Sequence, residues 1–498
     1  MIVLPQQAGT RLDGRSGSYN DQEPLQNLKM IRQTSERTHF DLDLDSRRGC
    51  RFYYDVGSDD LIALNEGKES IWLVALNVGA ATGPNQTLCL DPGEKNPISP
   101  GYWGMMAFLE EDESGPVTAE EDEPRPLMAE CLLLPRRWTF QQFSVPLAGL
   151  VTPGESPADD VAWTTQIICS NFGDGDNPML KVAPATMVRI RFPTAPGEPE
   201  STENFDITNI ANIATPTSRT GILHALHSNM GEVHSAMKIL RRHPDQKDQI
   251  PSLADDYSSE VVFSLALKDH PGFVTCLGFD ARFFVIYMER LEEHDLGLHQ
   301  DRNGMFTGSL SFAERILKDT ARNLAHLESE GFLHNDIKPR NMIFHPERGT
   351  LLIDFGLCTY ANDGQPGGGI YPYIAPEIYE GVAPSPASDI YSLGVTMLYL
   401  LGKTALPESL GPGWRVKNPG PRYYRWRSEV ETMRSSLRGT MGAIVKQMLG
   451  RRARTRITAR QILEQLRIAE EERQGEEERR AKDKKKEKNK KRPDTGRR

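Results

Sequence analysis

The chain has 498 residues, with 59 Lys and Arg against 69 Asp and Glu and a formal charge of −10. That length exceeds what one hydrophobic core usually fills, so two folded domains with tails are expected. Six widely spaced cysteines without a CxxC pair argue against a zinc site or a dense disulfide framework; no apolar run approaches the roughly 20 residues that span a bilayer, so a soluble chain in a reducing, intracellular compartment is expected.

Residues 1–38 are polar and aperiodic and are expected to be mostly disordered. From 39 to 195 short apolar runs alternate with turn residues ("CRFYYDV", "IWLVALNV", "MAECLLL", "TTQIICS", "MVRIRF"), the pattern of an all-β sandwich. Its loop "EEDESGPVTAEEDEPRP" reads as solvated, and the Pro- and Gly-rich "PTAPGEPESTEN" reads as a linker, placed at 196–206. After 207 "GEVHSAMKIL" suggests a strand, "SSEVVFSLALKD" a helix beginning near Glu260 and "FFVIYMERL" a buried strand. "SFAERILKDTARNLAHLESEG" suggests an amphipathic helix closed by Gly331. Helical patterns continue to about 466, and 467–498 read as a charged helix and a basic tail. From Arg479 onward 12 basic residues face 3 acidic ones, a local +9 that leaves −19 on the rest.

The stretch "GFLHNDIKPRNMIF" sets His334, Asp336, Lys338 and Asn341 in a short loop, and "LLIDFGL" follows with Asp354, Phe355 and Gly356. A carboxylate to orient a hydroxyl, a lysine to offset phosphate charge, and an amide with a second carboxylate for a divalent cation are the parts phosphoryl transfer needs. These residues resemble the eukaryotic protein kinase family. The resemblance covers about 207–466 and implies a two-lobed α+β kinase fold that uses ATP and Mg²⁺ on a protein substrate. It implies catalytic roles for Asp336 and Lys338 and metal binding by Asn341 and Asp354. Lys238 in "HSAMKIL" would meet the α and β phosphates and pair with Glu260, while Met288 and Glu289 would face the adenine. Ala375, Pro376 and Glu377 match the A-P-E element with Arg456 as its partner, and Asp389 matches the helix aspartate beneath the catalytic loop. Lys338 favours the serine/threonine type.

Three departures from the family pattern have consequences. Where a glycine-rich loop is expected, Pro216, Ser218 and Gly221 align, so one glycine remains and ATP binding should weaken. Asn335 precedes the catalytic aspartate in place of arginine and cannot pair bidentately with a loop phosphate. Ile370 stands where serine/threonine-directed relatives place threonine, leaving dual specificity open. Two rivals follow: a pseudokinase scaffold, and a small-molecule phosphotransferase, against which Lys338, the A-P-E element and Arg456 speak.

Residues 46–49 and 58–65 look like a forkhead-associated module, similar to β-domains ahead of fungal kinases, which implies phosphothreonine-peptide binding through Arg47 and Ser58. The usual histidine and N-G-T are missing, so a β-domain without that site stays open. "KDKKKEKNKKR" resembles a nuclear-localisation run, against a solvated tail with no address; no specific nucleic-acid or membrane partner is expected.

Overall fold

The computed structural model describes residues 2–5, 11–13, 29–30, 34–58, 60–75, 87–99, 101–107, 127–133, 139–144, 165–168, 177–192, 199–214, 220–231, 233–241, 249–364, 369, 372–409 and 421–490. Residues 1–261 with 276–290 form one compact unit, and 262–275 with 291–498 form a second.

The first unit opens with β1 (Ile2–Pro5), β2 (Arg11–Asp13), β3 (Lys29–Met30), β4 (His39–Asp43), β5 (Gly49–Tyr54), β6 (Leu61–Asn65), β7 (Ile71–Ala75), β8 (Thr87–Leu90), β9 (Lys95–Ile98), β10 (Gly101–Ala107) and β11 (Leu127–Leu133). They form two antiparallel sheets of order β3-β1-β11-β10-β7-β8 and β2-β4-β5-β6-β9. Alternate residues of both sheets, among them Leu42, Phe52, Ala63, Leu73, Trp103 and Met105, share one buried core. The all-β expectation agrees with this sandwich. Of residues 1–38, expected to be mostly disordered, those described include β1, whose extended sequence "IVLP" pairs antiparallel with β11, and β2, which pairs with β4; most of the others lie outside the described residues. The acidic loop lies outside the described residues.

The unit continues with β12 (Thr139–Ser144), β13 (Thr165–Ile168), β14 (Thr186–Arg191), β15 (Phe205–Ala214), β16 (Thr220–His227), β17 (His234–Leu240), α1 (Ile250–Leu267), β18 (Cys276–Asp280) and β19 (Val285–Glu289), and all eight strands join one antiparallel sheet of order β13-β12-β14-β15-β16-β17-β19-β18. The expected boundary at 195 lies outside the described residues, and the described part of the expected linker, 199–206, runs into β15, which neighbours β14 in this sheet. β14 and β15 pair from Thr186↔Asn209 to Ile190↔Phe205, and Val188, Ile190, Phe205 and Ile207 pack in one core with Leu223, Ala225 and Met237. Pro- and Gly-rich composition marks a chain that leaves a strand, whether it then crosses between domains or turns back as a hairpin. Helix α1 starts at Ile250, ahead of the start expected near Glu260, with Pro251 in its first turn, where a missing N–H costs little.

The second unit holds α2 (Leu310–Glu330), β20 (Phe332–Leu333), β21 (Met342–His345), β22 (Gly349–Leu352), β23 (Thr359–Tyr360), α3 (Pro376–Tyr379), α4 (Pro386–Leu400), α5 (Pro421–Ser436), α6 (Gly439–Met448) and α7 (Ala459–Lys490). Helix α4 is buried from Ser388 to Leu400, as expected of a helix apolar on all sides. Helix α7 runs unbroken through the expected boundary at 466; Lys318–Glu470, at 2.8 Å, and Arg473–Glu314 pin it to α2. The basic run lies on this helix as far as Lys490. Among the described residues no helix is long and apolar enough to cross a membrane.

Candidate active site

In the second unit, α2 is capped by the Ser309 hydroxyl, which accepts from the Phe312 N–H at 3.1 Å, and ends at Gly331 with φ 75°, a left-handed turn that glycine adopts without strain. The chain then passes through β20 into His334 and Asn335, and Asn335 takes φ 61°. The Asp389 carboxylate on α4 accepts both N–H groups that this turn exposes: His334 N donates to Oδ2 at 2.8 Å and Asn335 N to Oδ1 at 2.9 Å. Burial pushes the Asp389 carboxyl up to about 6, against those two hydrogen bonds. His334 is fully buried, and burial lowers its pKa. Its Nδ1 accepts the Asp336 N–H at 3.4 Å, so the neutral ring carries its proton on Nε2, and the ring meets Phe355 edge-on at 5.9 Å.

The loop's polar groups converge on Asp336. Its Oδ2 accepts from Lys338 Nζ at 2.5 Å and from Asn341 Nδ2 at 2.8 Å. Asn341 Nδ2 also donates to Asp336 O at 2.9 Å, which fixes the amide and leaves its oxygen available. Ile353 N donates to Asn341 O at 3.1 Å, bringing the next segment alongside, and Asp354 follows with φ 68°. A non-glycine residue in that region is strained, and such strain gathers at functional sites.

In the first unit, Lys238 Nζ on β17 reaches Glu260 Oε1 on α1 at 2.5 Å, and both side chains are buried. Gly221 sits on β16 opposite Ile239; Met288 and Glu289 close β19 opposite Ala236 and Ser235, half-buried. Pro216, Ser218 and Ile370 lie outside the described residues.

Glu377 and Arg456 form a buried bidentate pair, Nη1 to Oε1 at 2.7 Å and Nη2 to Oε2 at 2.9 Å. Sequence reasoning missed several supports. Asn335 Nδ2 donates to Leu357 O at 3.0 Å and to Thr359 Oγ1 at 2.9 Å. Trp426 Nε1 donates to Pro372 O at 2.8 Å, and Ser392 Oγ to Tyr373 O at 2.9 Å, while the Tyr373 hydroxyl meets Glu408. No sequence signal marks these pairs, because each joins segments far apart in the chain through backbone carbonyls or lone side chains. In the sandwich, Arg47 Nη1 pairs with Glu69 at 2.8 Å, and Ser58 Oγ donates to Asp55 Oδ2 at 2.7 Å. Arg48 also pairs with Glu69 and, at 2.8 Å, with Asp45.

Residues 220–466 match the protein kinase domain family. A probable protein kinase of Dictyostelium discoideum is 35% identical over 106 residues, 21% of this chain and 30% of that protein. Serine/threonine-protein kinase F of Synechocystis is 31% identical over 194 residues, 36% of each. The human receptor-interacting serine/threonine-protein kinase 3 is 37% identical over 97 residues, 18% of this chain and 19% of that protein. The chain thus spans little more than a third, at most, of the length of these relatives. Residues 220–466 are a protein kinase domain, and both the loop from His334 to Asn341 and the Lys238–Glu260 pair lie within these residues.

Proposed function

We propose that the chain is an ATP-dependent protein kinase that transfers the γ-phosphoryl group to serine or threonine hydroxyls. The observation that carries this reading is the convergence of Lys338 and Asn341 on one oxygen of Asp336, which leaves the other carboxylate oxygen open to orient a hydroxyl and accept its proton. Lys338 then offsets charge on the group in transfer. Lys238, held by Glu260, engages the α and β phosphates, and Met288 and Glu289 border the adenine. The Asn341 amide oxygen and the Asp354 carboxylate are two hard oxygen donors, the set that suits Mg²⁺, which keeps most of its waters and phosphate ligands. When bound, Mg²⁺ would neutralise phosphate charge.

The intact Lys238–Glu260 pair and the fully held catalytic loop favour an enzyme over a scaffold without turnover. Radiolabel transfer from Mg·ATP to a generic protein substrate tests the choice. Asp336→Asn should lower kcat by about 10²- to 10⁴-fold with the fold unchanged, the usual worth of a positioned general base. Transfer equal in wild type and variant, or none in wild type, defeats the reading.

For the sandwich we propose, from the residue resemblance alone, a forkhead-associated-like module. Arg47 and its neighbour Arg48 are already engaged by Glu69, so phosphothreonine peptides should bind weakly at best. The basic run on α7 and beyond supports nuclear entry, which deletion of residues 482–492 from a fluorescent fusion tests.

A further inference from the structure

The sandwich lays one outer face on α1. Along β5 and β6, Phe52 and Ala63 point into the sandwich core, whereas Tyr53 and Ile62, opposite one another in register, point the other way. They belong to a separate buried cluster with Ile250, Leu253, Ala254, Tyr257 and Val261 of α1. Tyr53 and Ile62 are each 1% exposed, as buried as the centre of the sandwich. Polar contacts border this apolar patch. The Thr38 and Ser258 hydroxyls are 3.2 Å apart, and Ala281 N donates to Ser35 O at 2.7 Å. From the sheet side, Tyr257 donates its hydroxyl to Val285 O at 3.1 Å. Glu260 lies one turn beyond Tyr257 and directly before Val261, on the stretch of helix held from both sides.

A buried ion pair is favourable only in good geometry, since both charges have left water; the position of α1 therefore decides whether the Lys238–Glu260 pair exists. We propose that the β-sandwich is an intramolecular clamp that fixes α1 so that Glu260 stays on Lys238, with Tyr53 and Ile62 as positioning residues for phosphoryl transfer. The catalytic consequence rests on the kinase reading above; the clamp itself does not. In this arrangement the competent position of α1 is built into the chain and requires no separate activating partner.

The test uses the full chain carrying Ile62→Ser beside Ile62→Val, because Ile62 faces α1 and not the sandwich core. In Ile62→Ser, the amides of 250–261 should exchange hydrogen at least about tenfold faster, with those of β10 and β11 unchanged. Its kcat should fall at least about tenfold while KM for the protein substrate moves less than about threefold, since the damage is to phosphate positioning and not to substrate contact. Ile62→Val should match wild type in every readout. If Ile62→Ser also loosens β10 and β11, Ser258→Ala takes its place; it removes the hydroxyl link to Thr38 while leaving the Thr38–His39 contact intact, and should lower kcat by about two- to fivefold, the worth of one modest hydrogen bond. Unchanged α1 exchange overturns the clamp, and so does a loosened α1 with kcat unchanged. A wild-type chain that transfers no phosphoryl group, while α1 still loosens in Ile62→Ser, upholds the clamp and sinks the kinase reading alone.

Discussion

Two turns of this molecule gather charge at similar density and use it in opposite ways. In the sandwich, Arg47, Arg48 and Arg51 each meet carboxylates a few residues or one strand away: Glu69, Asp45 with Glu69, and Asp41 with Glu66. In the second unit Lys338 and Asn341 converge on a single oxygen of Asp336, and the backbone that precedes it is held by Asp389. The first cluster neutralises itself. The second leaves acceptor capacity facing outward and so can act on something else. Counting charges does not separate a site from a solvated turn; the direction in which the charges point does.

The largest effect that sharpens this contrast comes from the Glu377–Arg456 pair, where the arginine side chain is 0% exposed. Arg456→Ala strands a buried carboxylate and should cost about 3 to 5 kcal/mol in urea or thermal unfolding of the second unit. Arg47→Ala, which removes a side chain that is 60% exposed, should cost less than about 1 kcal/mol. Similar costs for the two would erase the distinction between structural and surface pairs.

Next in size is a pH effect at Asp389. Its folded pKa, about 6, lies above the ordinary 3.8 because burial disfavours the charged form. The folded state therefore binds a proton more tightly than the unfolded one. The stability this contributes is present in full below about pH 4 and is lost as pH rises through about 6; two pKa units correspond to about 3 kcal/mol. The stability of wild type relative to Asp389→Asn should thus decline by about that amount between pH 4 and pH 8. Catalysis should move the other way: a proton on either oxygen weakens one of the two backbone contacts to His334 and Asn335, so kcat should fall as pH drops below about 6. A stability difference flat from pH 4 to pH 8 would show that Asp389 is charged throughout.

The loop from His334 to Asn341 was legible because the residues proposed for the chemistry lie within one short stretch, so spacing alone marks them. Glu260 was legible for a similar reason, its offset from Lys238, although the start of its helix was not. The pairing of β14 with β15 was not legible: Val188, Ile190, Phe205 and Ile207 alternate on both sides of a Pro- and Gly-rich connection, and alternation does not say which strands pair. The clamp on α1 was illegible as well. Tyr53 and Ile62 read as ordinary strand residues until the register shows them facing away from their own core.

A smaller effect, and a gain, is expected at the sandwich. Glu69→Asn removes the carboxylate that occupies Arg47 and Arg48 while keeping a polar side chain at the turn. Binding of a degenerate phosphothreonine peptide library should rise by about ten- to a hundredfold over wild type, the worth of one charge-assisted hydrogen bond, and only for the phosphorylated form. No gain, or an equal gain for unphosphorylated peptides, would leave the module without a phosphate site and end the forkhead-associated reading.

The smallest effect is expected from removing phosphate. In relatives with an arginine before the catalytic aspartate, that arginine waits for a phosphorylated loop. Here Asn335 already donates to Leu357 O and Thr359 Oγ1, two neutral acceptors at the start of the segment, and β20 pairs with β23 immediately beyond, Leu333 with Thr359 and Phe332 with Tyr360. These contacts hold the start of the segment against the catalytic loop without any added charge. Phosphatase treatment should therefore change kcat by less than about twofold, because none of these contacts depends on a phosphate. Asn335→Ala, which removes both hydrogen bonds, should lower kcat by about fivefold or more, equivalent to about 1 kcal/mol. The pairing of outcomes decides the matter: a loss of about tenfold after dephosphorylation, with Asn335→Ala near wild type, would place control in a phosphate and not in the asparagine.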